Sequence, residues 1–62
     1  MPQVKVATVV PREGLDEGQV MYEYTYTVDG EETGKVWILP KDRAAVDANL
    51  THRGWQIRDS TV

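Results

Sequence analysis

Residues 19–28 alternate between apolar or aromatic side chains and polar ones, and the dipeptide Asp29-Gly30 follows them directly. Side chains in a strand point alternately to its two faces, so the run predicts a β-strand. Residues 32–39 form a second β-rich run, and Asp-Gly between two such runs is a strong hairpin signal. Any fold of this chain must therefore contain the hairpin. Its first strand places on one face Val20, Tyr22, Tyr24, Tyr26 and Val28.

The length of the hairpin loop decides which side chains share a face. A three-residue loop ending with a left-handed Gly30 pairs Glu23 with Lys35, and it gives one apolar face and one face with opposite charges. A two-residue loop shifts the register by one residue and puts Tyr24 opposite Lys35, which mixes the faces. The three-residue loop is the preferred prediction. Its other pairs are Thr27 with Glu31, Thr25 with Thr33, Tyr22 with Val36, Met21 with Trp37 and Val20 with Ile38.

The segments around the hairpin complete the predicted fold. Residues 3–10 predict a first strand ended by Pro11, and residues 12–18 predict a charged loop that Leu15 pins to the domain. Residues 41–53 after Pro40 predict a helix, which ends at a left-handed Gly54. Residues 55–58 predict a short last strand, with Trp55 packing back on Leu50. The chain is thus predicted to be one α+β domain over residues 1–62, with 59–62 frayed: a small antiparallel sheet, element order β-β-β-α-β, with one helix on one face.

The chain has 62 residues and no cysteine, so neither disulfides nor a cysteine-bound metal can reinforce its small core. We expect no cofactor and no metal, because His52 is the only histidine. Neither a signal peptide nor a membrane span is recognisable, and a cytoplasmic location is expected. Tight packing or self-association remains as the source of stability.

Catalysis is disfavoured by the residue types present. Ser60 is the only serine and lies in the predicted frayed end, and His52 lies at the predicted helix end next to the Gly54 cap. The acidic residues at 13–17 and 29–32 do not have the spacing of a calcium loop. The sequence therefore predicts a protein that is not an enzyme.

Trp37 and Met21 suggest a binding surface instead. In the preferred register they face each other on the side of the hairpin away from the helix, with Glu23 and Lys35 as a polar rim. An exposed indole beside a thioether is typical of an interaction hot spot. The alternative is that the other register or the first strand covers Trp37.

Charge supplies the alternative function. Residues 1–34 carry two basic and seven acidic side chains, whereas residues 35–62 carry five basic and three acidic. A basic edge around the helix, which could contact nucleic acid, would consist of Lys41, Arg43, Arg53 and Arg58. The three tyrosines of residues 19–28 could stack bases if exposed, but they lie in the acidic half, which makes nucleic acid the less favoured partner.

The sequence thus predicts a small non-enzymatic protein-interaction module. It is expected to bind itself, as a homo-oligomer, or another protein, and to act as an assembly subunit, adaptor or inhibitor of a larger protein. Small chains of this kind are frequent among phage accessory proteins. A nucleic-acid-associated regulator is the alternative.

Overall fold

A computed structural model of the protein describes residues 3–13 and 18–60. The expected anchoring role of Leu15 lies outside these residues. The sheet has four strands in the order β3-β2-β1-β4. The elements are β1 (Lys5–Glu13), β2 (Val20–Val28), β3 (Glu31–Ile38), a 3₁₀ turn (Pro40–Asp42), α1 (Arg43–His52) and β4 (Gln56–Asp59).

The α+β class, the element order and the single helix on a small sheet are confirmed, but the sheet is mixed rather than antiparallel. Strands β1, β2 and β3 form an antiparallel meander. Strand β4 joins the other side of β1 in parallel. The cause is the helix: parallel strands need a long crossover connection, and residues 39–55 supply one between β3 and β4.

Strand β1 continues through Pro11 to Glu13, so the prediction that Pro11 ends it was wrong. The partner strand β4 pairs only as far as Val9 with Asp59. Pro11 therefore has a neighbouring strand on one side alone, opposite Tyr22, and proline is tolerated at such edge-like positions. At the other terminus the backbone N–H of Ser60 donates to the carbonyl of Val9 at 2.9 Å. The chain is thus paired up to Ser60, where fraying was expected to begin at Asp59.

The loop between β2 and β3 has two residues, Asp29 and Gly30, so the preferred three-residue loop was wrong. Both residues have positive φ, 52° and 85°, as a type I′ turn requires, and Val28 pairs with Glu31. Aspartate is among the few side chains that tolerate this conformation. Its Oδ1 also accepts a hydrogen bond from the backbone N–H of Val4 at 2.9 Å, which ties the turn to the start of β1.

A β-bulge restores the separation of faces that the two-residue loop alone would have lost. Tyr26 and Thr27 are adjacent on β2, but their partners are Gly34 and Glu32, so Thr33 is an extra residue on β3. Beyond the bulge every pair is displaced by two residues from the prediction, and a shift of two keeps each side chain on its predicted face. The pairs formed there are Tyr22 with Ile38, Glu23 with Trp37, Tyr24 with Val36 and Thr25 with Lys35.

The core lies between the helix and the centre of the sheet and is small. Among the described residues, the buried hydrophobic side chains are Ala7, Val9 and Tyr24. The valine-rich side of β1 thus points away from the helix, and its alanine points towards it. The partly buried side chains around this cluster are Tyr22, Tyr26, Ile38, Val46, Leu50, Trp55 and Ile57.

The hydroxyl of Tyr24 connects the sheet to the helix. It donates a hydrogen bond to Oδ1 of Asp47, and the other carboxylate oxygen of Asp47 lies 3.3 Å from Nε of Arg43. Burial, followed by the hydrogen bond and the charge of Asp47, raises the pKa of Tyr24. Arg43 also binds Asp59 of β4, and its guanidinium lies 4.5 Å from the ring centroid of Tyr22. One network thus joins β2, α1 and β4.

The helix ends in the predicted left-handed cap. Gly54 has φ 90°, its N–H donates to the carbonyl of Thr51 at 3.0 Å, and the N–H of Trp55 donates to the carbonyl of Leu50 at 2.9 Å. These two bonds define a Schellman motif. The indole of Trp55 then packs edge-on against Tyr26, with ring centroids 5.2 Å apart. The cap therefore directs the chain back to the sheet.

Replacement of Gly54 by alanine is expected to destabilise the fold by about 1 kcal/mol, because a Cβ disfavours positive φ. Urea unfolding measures the change. Gly34→Ala is the control, since the Gly34 backbone is not left-handed and a Cβ there meets no atom within 4 Å. Its free energy of unfolding should stay within about 0.5 kcal/mol of the wild type. Equal losses in the two variants would contradict the role of the cap.

Tyr24→Phe is expected to lower the free energy of unfolding by about 1.5–3 kcal/mol, because it removes a hydrogen bond to a charged group and leaves Asp47 without that donor. Tyr26→Phe serves as the control. The Tyr26 ring is also partly buried, but among the described residues its hydroxyl makes no hydrogen bond. A Tyr26→Phe loss as large as that of Tyr24→Phe would show that the Asp47 contact is not the source of the stability.

Candidate functional site

The face of the sheet away from the helix, here called the open face, carries the side chains that alternate with the core. Its centre lies on β1 and β2, and β3 and β4 supply its two margins. The helix and the turn before it lie on the opposite face, against Tyr24 and its neighbours. From the strand registers, the open face consists of Val6, Thr8, Val10, Arg12, Met21, Glu23, Thr25, Thr27, Glu32, Lys35, Trp37, Gln56 and Arg58.

Glu23 lies at the centre of the open face and is only 8% exposed. Its neighbours across the ladders are Val10 on β1 and Trp37 on β3. Oε2 accepts a hydrogen bond from Nε of Arg12 at 2.9 Å, and Oε1 lies 3.4 Å from Nζ of Lys35. Both oxygens of this largely buried carboxylate therefore have a cationic partner, which offsets the cost of removing the charge from water.

The two cations set the ionisation of this carboxyl group. The hydrogen bond from Arg12 is the largest influence and lowers the pKa of Glu23, with Lys35 adding to the effect. Burial opposes this shift and does not outweigh it, so the pKa remains below its ordinary value of 4.5. The predicted ion pair between Glu23 and Lys35 thus forms, although the two residues are diagonal neighbours rather than direct partners.

Trp37 is 50% exposed and is the largest apolar side chain on the open face. Met21 lies on the same face and is half-buried, but it is not opposite Trp37, because the bulge places Glu23 there. The predicted direct Trp37–Met21 pairing was therefore wrong, since it depended on the three-residue loop. The indole of Trp37 instead lies beside Glu23, whose carboxylate is paired with Arg12 and Lys35.

On the opposite face of the same strand, Val36 is a second exposed apolar side chain. It is 38% exposed, next to Trp37 in the chain and on the helix side of the sheet. Strand β3 is the outermost strand on its side of the sheet. Over Gly34–Ile38, here called the outer edge of β3, large apolar side chains are thus exposed on both faces.

The four basic residues of the predicted nucleic-acid edge do not come together. Arg43 is half-buried and bound to Asp47 and Asp59. Burial lowers the pKa of Arg43, but the hydrogen bonds that its guanidinium donates to Asp59, Tyr22 and Asp47 outweigh this effect and raise the pKa. Arg58 pairs across from Thr8 and therefore lies on the open face.

Lys41 and Arg53 are exposed at opposite ends of the helical segment, about 18 Å apart at 1.5 Å per residue. Phosphate binding gains from clustered cations, and these positions offer none. The tyrosines give no stacking platform either. Tyr24 is fully buried, and Tyr22 and Tyr26 pack partly buried against the core.

Further features of the described part of the chain concern other kinds of site. There, no group of three or more His, Asp or Glu side chains is placed to hold a metal ion. None of the helices there is long and apolar enough to cross a membrane. A shallow groove on the helix is lined by Ala45, Val46, Asn49 and Leu50. His52 is exposed in the last turn of α1.

Comparisons of the chain with protein-family models, with curated proteins and with solved structures find no match. The function of the chain must therefore be inferred from the geometry of its own residues.

Two residues of the site were missed by the sequence analysis. Arg12 was assigned to a loop because Pro11 was taken as the end of β1. A strand continued by two residues would have brought Arg12 onto the same face as Val10. Val36 was placed beneath the helix, but a helix of ten residues covers the middle strands and leaves the edge strand bare.

The stability of Glu23→Gln should differ from that of the wild type in a pH-dependent way. Because the folded pKa of Glu23 lies below 4.5, its ionisation stabilises the fold fully above about pH 4.5, and this contribution is lost as the pH falls through the folded value. The advantage of the wild type over the variant should therefore shrink on acidification. Urea unfolding between about pH 3 and about pH 7 measures it.

Glu31→Gln removes one charge at the exposed turn and is the control. If the difference between Glu23→Gln and the wild type stayed constant over this range, the ion pairs of Glu23 would not contribute to folding.

Proposed function

We propose that the protein is a non-enzymatic protein-interaction module that self-associates or binds a larger protein through the open face around Trp37 and the outer edge of β3. In this role it acts as an assembly subunit, an adaptor or an inhibitor. The half-exposed indole of Trp37, beside an ion-paired Glu23, is the observation that carries the proposal.

The energetics of covering this surface support the proposal. Tryptophan is enriched among the residues that dominate binding energies, and half of this one remains in water. A partner that covers Trp37 removes apolar area from water. Among the described residues, no buried side-chain nitrogen or oxygen lacks a hydrogen-bond partner, so the partner does not have to satisfy a polar group in the interior of this chain.

The charges near the indole also suit a protein partner. Arg12 and Lys35 are both engaged by Glu23, and Lys35 also lies 3.7 Å from Glu32. The surface around Trp37 thus has no excess of either sign. A neutral apolar centre with charged residues at its margin is the usual arrangement of a protein interface, whereas nucleic acid calls for a strongly positive one.

The small core gives a second reason for an interaction role. Three buried hydrophobic residues in the described chain are few, and short chains bury a smaller fraction of their surface than long ones. A bound partner stabilises the folded state by mass action. Association would thus add to the stability that the core supplies.

Trp37→Ser is expected to weaken binding of the partner, or self-association, by roughly 30-fold or more, as for a hot-spot tryptophan. Chemical cross-linking in the native host followed by mass spectrometry, together with light scattering of the purified chain, measures both forms of association. Val4→Ser is the control, because Val4 is an exposed apolar residue beside the turn at Asp29, whereas Trp37 lies near the other end of β3. Both variants should unfold at nearly the wild-type urea concentration. Complexes that survive Trp37→Ser unchanged would contradict the proposal.

A further inference from the structure

The outer edge of β3 lacks cover on both faces at one place. Trp37 and Val36 are adjacent in the chain, point to opposite faces, and are 50% and 38% exposed. A partner that lies on one face covers only one of them. A strand added to the edge brings side chains to both faces at once, so the exposure pattern favours strand addition.

The length available for such pairing is limited at both ends. The bulge at Thr33 interrupts the regular strand on one side, and Pro40, which cannot donate to a ladder, begins the 3₁₀ turn on the other. Five regular residues, Gly34–Ile38, lie before β3 ends. A partner strand therefore meets a short segment with a defined centre at Val36.

We propose that a second copy of the chain pairs with this edge in antiparallel orientation, on a two-fold axis that passes through Val36. This inference rests on the proposed function and names the partner in it. Val36 then lies opposite Val36 of the second copy, Lys35 opposite Trp37, and Gly34 opposite Ile38. Side chains directly opposite in an antiparallel ladder lie on the same face, so each pair is consistent with the faces described above.

The pairs are complementary in size and charge. A Cβ at Gly34 would meet no atom within 4 Å, and an opposing Ile38 would use this free space. The ammonium group of Lys35 beside an opposing indole makes a favourable cation–π contact. Each of these two contacts occurs twice because of the symmetry, and the two Val36 side chains extend the apolar surface on the helix side.

The neighbouring symmetric registers are less favourable. A two-fold axis at Lys35 places two ammonium groups directly opposite each other, which is destabilising. An axis at Trp37 places Gly34 opposite Pro40, which lies in the 3₁₀ turn and cannot continue the ladder. An axis at Gly34 places Val36 opposite Glu32, across the bulge. The Val36-centred register avoids all three conflicts.

The resulting dimer has one continuous eight-stranded sheet with both helices on the same side. Five residue pairs form a small interface, below the roughly 1,200 Å² of a standard complex, so the association should be weak, roughly micromolar. Each copy carries a net charge of −3, so the copies repel at long range. Added salt should therefore strengthen the dimer.

Single-cysteine variants test the register, because the natural chain has no cysteine. In the proposed dimer the two residues at position 36 have Cα atoms about 4.5–5.5 Å apart, within the range that a disulfide bridges. Val36→Cys should therefore form a covalent dimer under mild oxidation. Val20→Cys is the matched control, as Val20 is 46% exposed on the helix side but lies on β2. It should stay monomeric, and equal cross-linking of the two variants would overturn the proposal.

Sedimentation velocity of the full chain from about 5 to about 500 µM provides the second measurement. Val36→Lys puts like charges opposite each other on the two-fold axis and should weaken the dimer at least about tenfold, whereas Val20→Lys should not. Circular dichroism and urea unfolding confirm that both variants fold.

The outcomes separate this inference from the proposed function. A chain that stays monomeric over the whole range, or dimers that Val36→Lys leaves intact, would overturn the edge pairing. A Trp37-dependent complex with another protein would in those cases still support the interaction module. If no complex that depends on Trp37 were found, either with a second copy or with another protein, both proposals would be overturned.

Discussion

The contact between Tyr24 and Asp47 determines how the rest of the chain is arranged. The tyrosine is fully buried at the centre of the sheet, where its hydroxyl needs a hydrogen-bond partner, and Asp47 of the helix supplies it. Asp47 therefore lies over β2, and Arg43, one turn earlier, reaches Asp59 of β4. A helix fixed over the middle and one margin of the sheet leaves the other margin, β3, without cover. The exposed edge is thus a consequence of how the core is tied together.

The bulge at Thr33 has an equally broad effect, although it is a single extra residue. The two-residue turn by itself would place Tyr24 opposite Lys35 and bring the cation under the helix. With the extra residue, Tyr24 faces Val36 while Lys35 returns to the open face, within reach of Glu23. The ion-paired centre of the open face and the exposure of Trp37 both depend on this correction. The bulge thus allows the chain to keep a two-residue turn, which suits the twist of the strands, and still place its apolar and charged side chains on opposite faces.

Local signals in the sequence predicted most of the fold. Alternation over residues 19–28 gave the tyrosine face, and Gly54 gave the helix end, because each depends on the geometry of a few consecutive residues. The bulge, the parallel pairing of β4 and the role of Arg43 could not be predicted in the same way. Each depends on residues that are far apart in the chain. From the sequence alone, Arg43 is one more cation on the helix, whereas in the structure it contacts Asp47, Asp59 and Tyr22. For the site, the face of Trp37 and its polar rim of Glu23 and Lys35 were predicted, but the residue directly opposite Trp37 was not. The face of a side chain depends only on whether its position along the strand is odd or even, whereas its direct partner depends on the exact register.

Some parts of the β3 edge are blocked against pairing with another strand, and one part is open to it. Near the turn, Glu31 and Glu32 and the bulge at Thr33 obstruct an approaching strand, and these are devices by which sheets avoid uncontrolled pairing. Beyond the bulge the edge has one charge, Lys35, and that charge is held by carboxylates on its own chain. Pro40 then closes the far end. An edge blocked at both ends and bare over five residues admits one short strand in one register, whereas a uniformly bare edge would allow pairing to slip and propagate. The short length of the exposed edge over Gly34–Ile38 therefore favours pairing with one partner strand in one register.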